Sequence, residues 1–221
     1  MSRRTRLIVA GVAAGILVAV VAGFAVLKLT GGDTPPPPTL EGSPAAGAGA
    51  SGQLSPVAPA GSFVGYRVNE EYLGVGVRTA VGRTSAVTGT VTVDGARVRA
   101  ADLRADMTQV RSDQARRDDT LRSRGIETDR YPTARFTLSR PFALSTSPLG
   151  ATGTLLLHGR RAPITVSVRG QRLAGGRVEL VGSAPIRFAD FGIEPPSVAG
   201  LVSVRDHGLI EFRLVLGRAG A

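Results

Sequence analysis

From Ser62 to Gly217 apolar residues recur at every second position in one segment after another, and this pattern constrains the fold more than any other feature of the chain. In "ARFTL", Ala134, Phe136 and Leu138 alternate with Arg135 and Thr137, and in "LIEFRLVLG", Ile210, Phe212, Leu214 and Leu216 alternate with Glu211 and Arg213. Successive side chains of a strand point to opposite faces, so each such segment reads as a strand with one dry face. "ARVRA" fits in the same way, with Ala96, Val98 and Ala100 opposite Arg97 and Arg99, and Asp94-Gly95 before it is a hairpin signal. "SFVGYRV", "AVGRTSAVTGTVTV", "ATGTLLLHG", "APITVSV" and "RVELVGSAPIRF" bring the total to about eight strands. Eight antiparallel strands must hide their edges, and closing the sheet into a barrel does so completely. A sandwich is the alternative. The long strands and the single helix favour an all-β, eight-stranded antiparallel barrel, whose interior is either filled by side chains or holds one small or elongated ligand.

The one helix expected lies between Ser112 and about Arg124, inside the charged stretch "RSDQARRDDTLRSRGIETDRYPTARFTL". Ser112 is placed to cap it, Asp113 suits its first turn, and Arg122 and Arg124 suit its last turn before Gly125. Ala115 and Leu121 give it only a thin apolar face, so it is expected across an opening or an edge and not in the core.

Ahead of the strands the chain divides sharply. Residues 1–6 carry Arg3, Arg4 and Arg6, and the apolar run from Leu7 to Leu29 contains one charge, Lys28. At about 1.5 Å per residue this run reaches roughly 34 Å, enough for a bilayer core of about 30 Å. It reads as an uncleaved transmembrane signal anchor, since a cleaved signal peptide has a shorter apolar region and a small-residue cleavage site. The preceding arginines keep the N-terminus cytoplasmic and place the chain beyond the run outside the cytoplasmic membrane. Residues 30–61, rich in Pro, Gly and Ala, read as a linker, and residues 62–218 as the barrel domain.

The chemistry of the domain is sparse. There is no Cys, hence no disulfide or thiol nucleophile, and the two His residues, His158 and His207, fall in turns far apart in the sequence. No nucleophile, base and orienter recur together, so no catalytic residue, metal ligand or cofactor is assigned and the chain is not expected to be an enzyme. The domain carries 23 Arg against 15 acids. These are interleaved, with no basic block alternating with aromatics, so nucleic acid is not an expected partner.

The order of the motifs is informative. "SDQARRDDTLRSRGIETDRYPTARFTL", "TGTLLLHGRRAPITVSV" and "IRFADFGIEPP" before a last apolar strand resemble the YceI-like family over about Ser62 to Leu216. The specific pieces are Arg117-Asp118 with Leu121, Tyr131-Pro132 with Phe136, Thr152-Gly153 with Leu155 and His158-Gly159, and Asp190-Phe191. The resemblance implies a lipocalin-like barrel, export, and, as in some members, a polyisoprenoid lipid bound inside. This chain has Thr120 where many members carry His, and Thr154 and Leu156 where the plain motif has Asp and Thr.

The expectation is therefore a membrane-anchored extracytoplasmic protein that sequesters or carries an isoprenoid or other apolar lipid chain. Period 2 proposes Phe136, Leu138, Leu155, Leu157, Ile164, Val166, Ile186, Phe212 and Leu214 as the pool for the inner wall. Arg117 and Asp118 are expected either as a fork-shaped pair holding the helix to strand ends or as a contact to a lipid head group. Two alternatives stand beside this reading: a filled barrel that binds protein partners in envelope stress or assembly, and an enzyme on lipid or redox substrates.

Overall fold

A computed structural model describes residues 34–45, 51–56, 61–195, 197–198 and 202–218. The basic segment 1–6 and the apolar run 7–29 lie outside the described residues. Among the described residues no helix is long and apolar enough to cross a membrane.

The strands are β1 (Gly52–Pro56), β2 (Phe63–Tyr72), β3 (Gly76–Thr84), β4 (Val87–Asp94), β5 (Arg97–Asp106) and the short β6 (Arg111–Ser112). Helix α1 (Ala115–Ser123) comes next, then β7 (Thr133–Leu138), β8 (Phe142–Ala143), β9 (Leu149–Leu157), β10 (Arg160–Leu173), β11 (Arg177–Ile186), β12 (Ser197–Val198), β13 (Val202–Val204) and β14 (Gly208–Gly217). The ring of antiparallel pairs runs β1, β4, β5, β7, β9, β10, β11, β14 and closes where Ser55 and Pro56 meet Gly217 and Leu216. Towards the other end of β14, β2 takes the place of β1, with Phe212 opposite Val64, and β3 pairs with β2 on its far side. The eight-stranded barrel is thus paired along both halves of β14.

Local chemistry sets the connections. His158 (φ 50°) and Gly159 (φ 71°) form a two-residue turn between Leu157 and Arg160, the double positive φ matching the twist of a tight hairpin. The turn after β4 is Gly95-Ala96, one residue later than the Asp94-Gly95 signal suggested, because Asp94 still pairs with Arg97. A bulge beside Thr92 and Val93 puts an extra residue in β5, so Val98 and Ala101 face inward and Ala100, expected inside, is exposed.

Two hydrophobic clusters make up the core of the barrel. One surrounds the mid-section and includes Val91, Val98, Ala151, Val166, Val168, Leu180 and Leu214. The other, built on Leu155, Leu157, Ile186, Phe188, Phe191 and Ile193, plugs the end where β11 finishes and β14 begins.

Part of the stretch read as a linker is structured. Gly52–Pro56 is strand β1, with Leu54 buried in the core. Residues 34–45 form a strap across the outer face of the barrel. Arg67 donates to Pro35 O at 2.7 Å and Arg83 to Pro36 O at 2.8 Å. The backbone N–H groups of Glu41 and Gly42 donate to Glu179 at 3.1 and 3.0 Å, Gln171 donates to Gly42 O, and Ala45 N–H donates to Arg172 O. The strap is held by its backbone, which is why a segment without apolar periodicity can dock.

Candidate functional site

Inside the barrel is a cavity of about 110 Å³ whose exposed wall surface is apolar, although Arg104 and Arg135 are among the residues that line it. A water needs at least about 10–15 Å³ and two to four polar partners, so there is room for several waters but nothing to hold them. Phe136, Leu155, Ile164, Val166, Phe212 and Leu214 line it, as the alternation proposed. Leu138, Leu157 and Ile186 do not. Leu138 packs against the mid-section cluster, while Leu157 and Ile186 belong to the end plug. Strand parity fixes the face a residue occupies and leaves its height along the barrel axis open, and those two sit too near the end to reach the cavity.

The wall also includes residues outside the proposed pool: Val64, Val91, Val98, Leu103, Phe142 and Leu180 among them. Only the register of neighbouring strands, and for Leu103 the bulge in β5, brings them to one level. Phe136 owes its position to Gly153, which stands opposite Leu138 on β9. A Cβ at Gly153 would lie 2.3 Å from the Phe136 ring, so the bare backbone leaves the ring its place in the wall.

Beside α1, Arg117 and Asp118 each find polar partners. Arg117 does not pair with Asp118, contrary to the fork-shaped pair expected. Arg117 instead grips Glu70 of β2 in a bidentate contact, Nε to Oε1 at 2.9 Å and Nη2 to Oε2 at 3.1 Å, and also bonds Asp113. Asp118, 7% exposed, accepts from the backbone N–H of Ser112 at 2.9 Å and from its hydroxyl at 2.7 Å. Ser112 therefore anchors the approach to the helix through Asp118, while the position before the first helical residue is Gln114, without a side-chain cap. Burial works against the charge on Arg117, yet Glu70 and Asp113 outweigh it and hold the guanidinium firmly protonated. With its donors directed at Glu70, Asp113 and Ser112, Arg117 fastens the helix to β2. Tyr66 lies against the same cluster, its ring over Gly82; burial keeps the phenol protonated, and its hydroxyl is buried without a hydrogen-bond partner among the described residues.

The histidines have structural surroundings. His158 Nδ1 lies 3.1 Å from Phe191 O and Nε2 lies 2.6 Å from Glu127, with the Tyr131 ring edge-on at 4.3 Å. His207 is exposed on a loop, and Asp190 is exposed on the 3₁₀ turn Phe188–Phe191. Among the described residues no three of His, Cys, Asp and Glu come together as a metal site.

Comparison with known proteins agrees with this architecture. The YceI-like domain model matches residues 56–216. A UPF0312 protein of Shewanella denitrificans is 31% identical over 128 residues, covering 54% of this chain and 67% of its own length. One from Vibrio campbellii is 30% identical over 108 residues, covering 46% and 57%. Among solved structures, a polyisoprenoid binding domain from Saccharophagus degradans implicated in plant cell wall breakdown superposes with a TM-score of 0.57 at 22% identity, covering 74% of this chain and 97% of that one. Burkholderia cenocepacia BcnA superposes with a TM-score of 0.54 at 18% identity, covering 70% and 96%. A family match over most of the chain, a closed eight-stranded barrel and an apolar interior converge, and the chain belongs to the YceI-like domain family.

Proposed function

We propose that this chain is a membrane-anchored, extracytoplasmic binding protein that holds an apolar lipid chain of the isoprenoid class inside its barrel. The observation that carries the reading is the cavity, ringed by paired strands and walled without a polar surface. Burial is the whole mechanism. At about 0.8 kcal/mol for each carbon taken from water, a five-carbon isoprene unit contributes about 4 kcal/mol before ordering costs. The description of the Saccharophagus degradans neighbour as a polyisoprenoid binding domain supports the ligand class, and Arg3, Arg4 and Arg6 ahead of the apolar run support the anchor and its orientation.

The test is uptake of a polyprenyl compound by the detergent-purified full chain, read by native mass spectrometry together with an organic extract for copurified lipid. Ala151→Leu, which adds volume to the cavity wall without adding charge, should reduce uptake, and Arg97→Ala on the exposed face should not. No copurified lipid and no uptake by the wild-type chain would remove the carrier reading and favour a protein-binding barrel.

A further inference from the structure

We propose that the tip of the β2–β3 hairpin is a bilayer-docking finger. Between Glu71 and Arg78 the sequence reads "YLGVGV", without a charge. Tyr72 pairs with Gly76, which leaves Leu73, Gly74 and Val75 as the loop. Leu73 is 69% and Val77 58% exposed, the highest values among the exposed large hydrophobic side chains of the described residues. Gly74 (φ 73°) and Gly76 (φ 110°) supply the positive φ angles of the turn; a Cβ at Gly76 would meet nothing within 4 Å, and on the other edge of β2, β13 pairs no further than Val202 with Tyr72, so the turn itself projects beyond its neighbours.

Two side chains so exposed on one projecting turn are poor candidates for water and good ones for an apolar phase. The groups behind them suit a head-group layer. Arg78 stands over the Tyr72 ring at 6.0 Å, and Arg205 pairs with Glu71, so charge sits at the base of the finger and not at its end. Amphipathic Tyr and Arg side chains are those that settle at a membrane interface.

Chain connectivity selects a bilayer over other partners. The hydroxyl of Thr34, the first described residue of the strap, donates to the carbonyl of Thr79 on β3, close behind Gly76 and Val77 at the hairpin end of that strand. Only residues 30–33 separate Thr34 in sequence from Leu29, the end of the apolar run. A stretch of so few residues, at about 3.3–3.6 Å per step, spans at most about 18 Å. A bilayer that holds the run is thus within reach of the base of this finger. The inference rests on the anchored reading proposed above and is independent of what the cavity binds.

The chain has no Cys, so single substitutions Leu73→Cys, Val77→Cys and, in the loop before β9, Ser147→Cys can each carry an environment-sensitive fluorophore in the full chain. In vesicles of phosphatidylethanolamine and phosphatidylglycerol, probes at 73 and 77 should shift to the blue and lose severalfold in quenching by aqueous iodide, and the probe at 147 should do neither. Val77→Asp should abolish the shift at 73 while the chain stays in the vesicles through alkaline carbonate. Equal quenching at 73 and 147 in carbonate-resistant vesicles overturns the finger and leaves the anchor standing. Release by carbonate with the blue shift retained overturns the anchor and leaves the finger standing. A shift at 73 that grows with protein-to-lipid ratio, with disulfide crosslinks between unlabelled Leu73→Cys chains, assigns the tip to contact between copies of the chain and overturns the proposal.

Discussion

Replacing Glu179 by Gln should unfasten the strap and cost a large share of the stability of the chain. Glu179 is 0% exposed although it stands on the outer face of β11, and it is dry because residues 34–45 cover it. Its carboxylate accepts from Arg213 Nε at 2.8 Å, from Gln171 Nε2 at 2.8 Å and from the backbone N–H groups of Glu41 and Gly42. An amide oxygen can still accept some of these bonds, but its NH₂ faces donors, and Arg213 keeps only the exposed Glu41 as a charged partner among the described residues. Breaking one member of a buried charged pair costs about 3–5 kcal/mol, against a total stability of about 5–15 kcal/mol for an ordinary domain. Burial disfavours the charge on Glu179, and Arg213, Gln171 and the two backbone donors outweigh it, holding the carboxyl below its ordinary value. A depressed folded value means that this stabilisation is present above the unfolded carboxyl value of about 4.3 and is lost as pH falls through the folded one. Urea unfolding should therefore show a lower midpoint for Glu179→Gln at neutral pH, and the gap to wild type should close in acid. Hydrogen exchange should report the cause, with the Gly42 and Ala45 amides protected in the wild type and exchanging freely in the variant. Unchanged unfolding together with unprotected strap amides in the wild type would refute the reasoning.

Arg117→Ala should destabilise the chain by a comparable amount, about 3–5 kcal/mol, because Glu70 is left buried without its bidentate partner; unchanged melting with loss of lipid uptake would return Arg117 to the head-group role. Gly153→Ala should cost about 1–3 kcal/mol by driving a methyl into the Phe136 ring, and a calorimetric scan equal to wild type would show that the wall yields at no cost. For topology, cysteines at Ser51 and Ser2 should differ in intact cells, with only the former reacting with a membrane-impermeant thiol reagent; labelling at Ser2 alone reverses the orientation.

The barrel was legible because period 2 is a purely local property. Phe136 and Leu138, or Phe212 and Leu214, declare their face by their neighbours in sequence, and a closed sheet is the economical way to hide the edges of so many strands. The level of a residue along the barrel axis is not local. It depends on register, such as Phe136 opposite Leu155 or Ile210 opposite Ala184, and a single bulge in β5 moved Ala101 into the wall and Ala100 out of it. Hence Leu157 and Ile186, with the right parity, belong to the end plug, while Val64 and Leu103 line the cavity without any mark in their own segments.

The strap was illegible for a different reason, and the same reason explains the outer-face charges. Alternation assigns Glu179, Glu211, Arg67, Arg83 and Arg213 to solvent, and by parity they do point outward. Glu211 is nevertheless 1% exposed, clasped by Arg67 at 2.9 Å and Arg83 at 2.8 Å, and Glu179 is dry beside Arg213. Two carboxylates and three guanidinium groups on one sheet face would be held apart by water in an open surface. They draw together because a proline-rich segment, with no donor of its own at Pro35 and Pro36, presents bare carbonyls to the arginines, and the free N–H groups of Glu41 and Gly42 fall to Glu179. Composition classifies such a segment as a linker because it counts side chains, and the strap binds mainly through its backbone. The barrel face supplies the charges and the strap supplies the complementary peptide groups, so neither stretch of sequence declares the contact alone. It follows that the charged outer face of β2, β3, β11 and β14 is occupied by the chain itself.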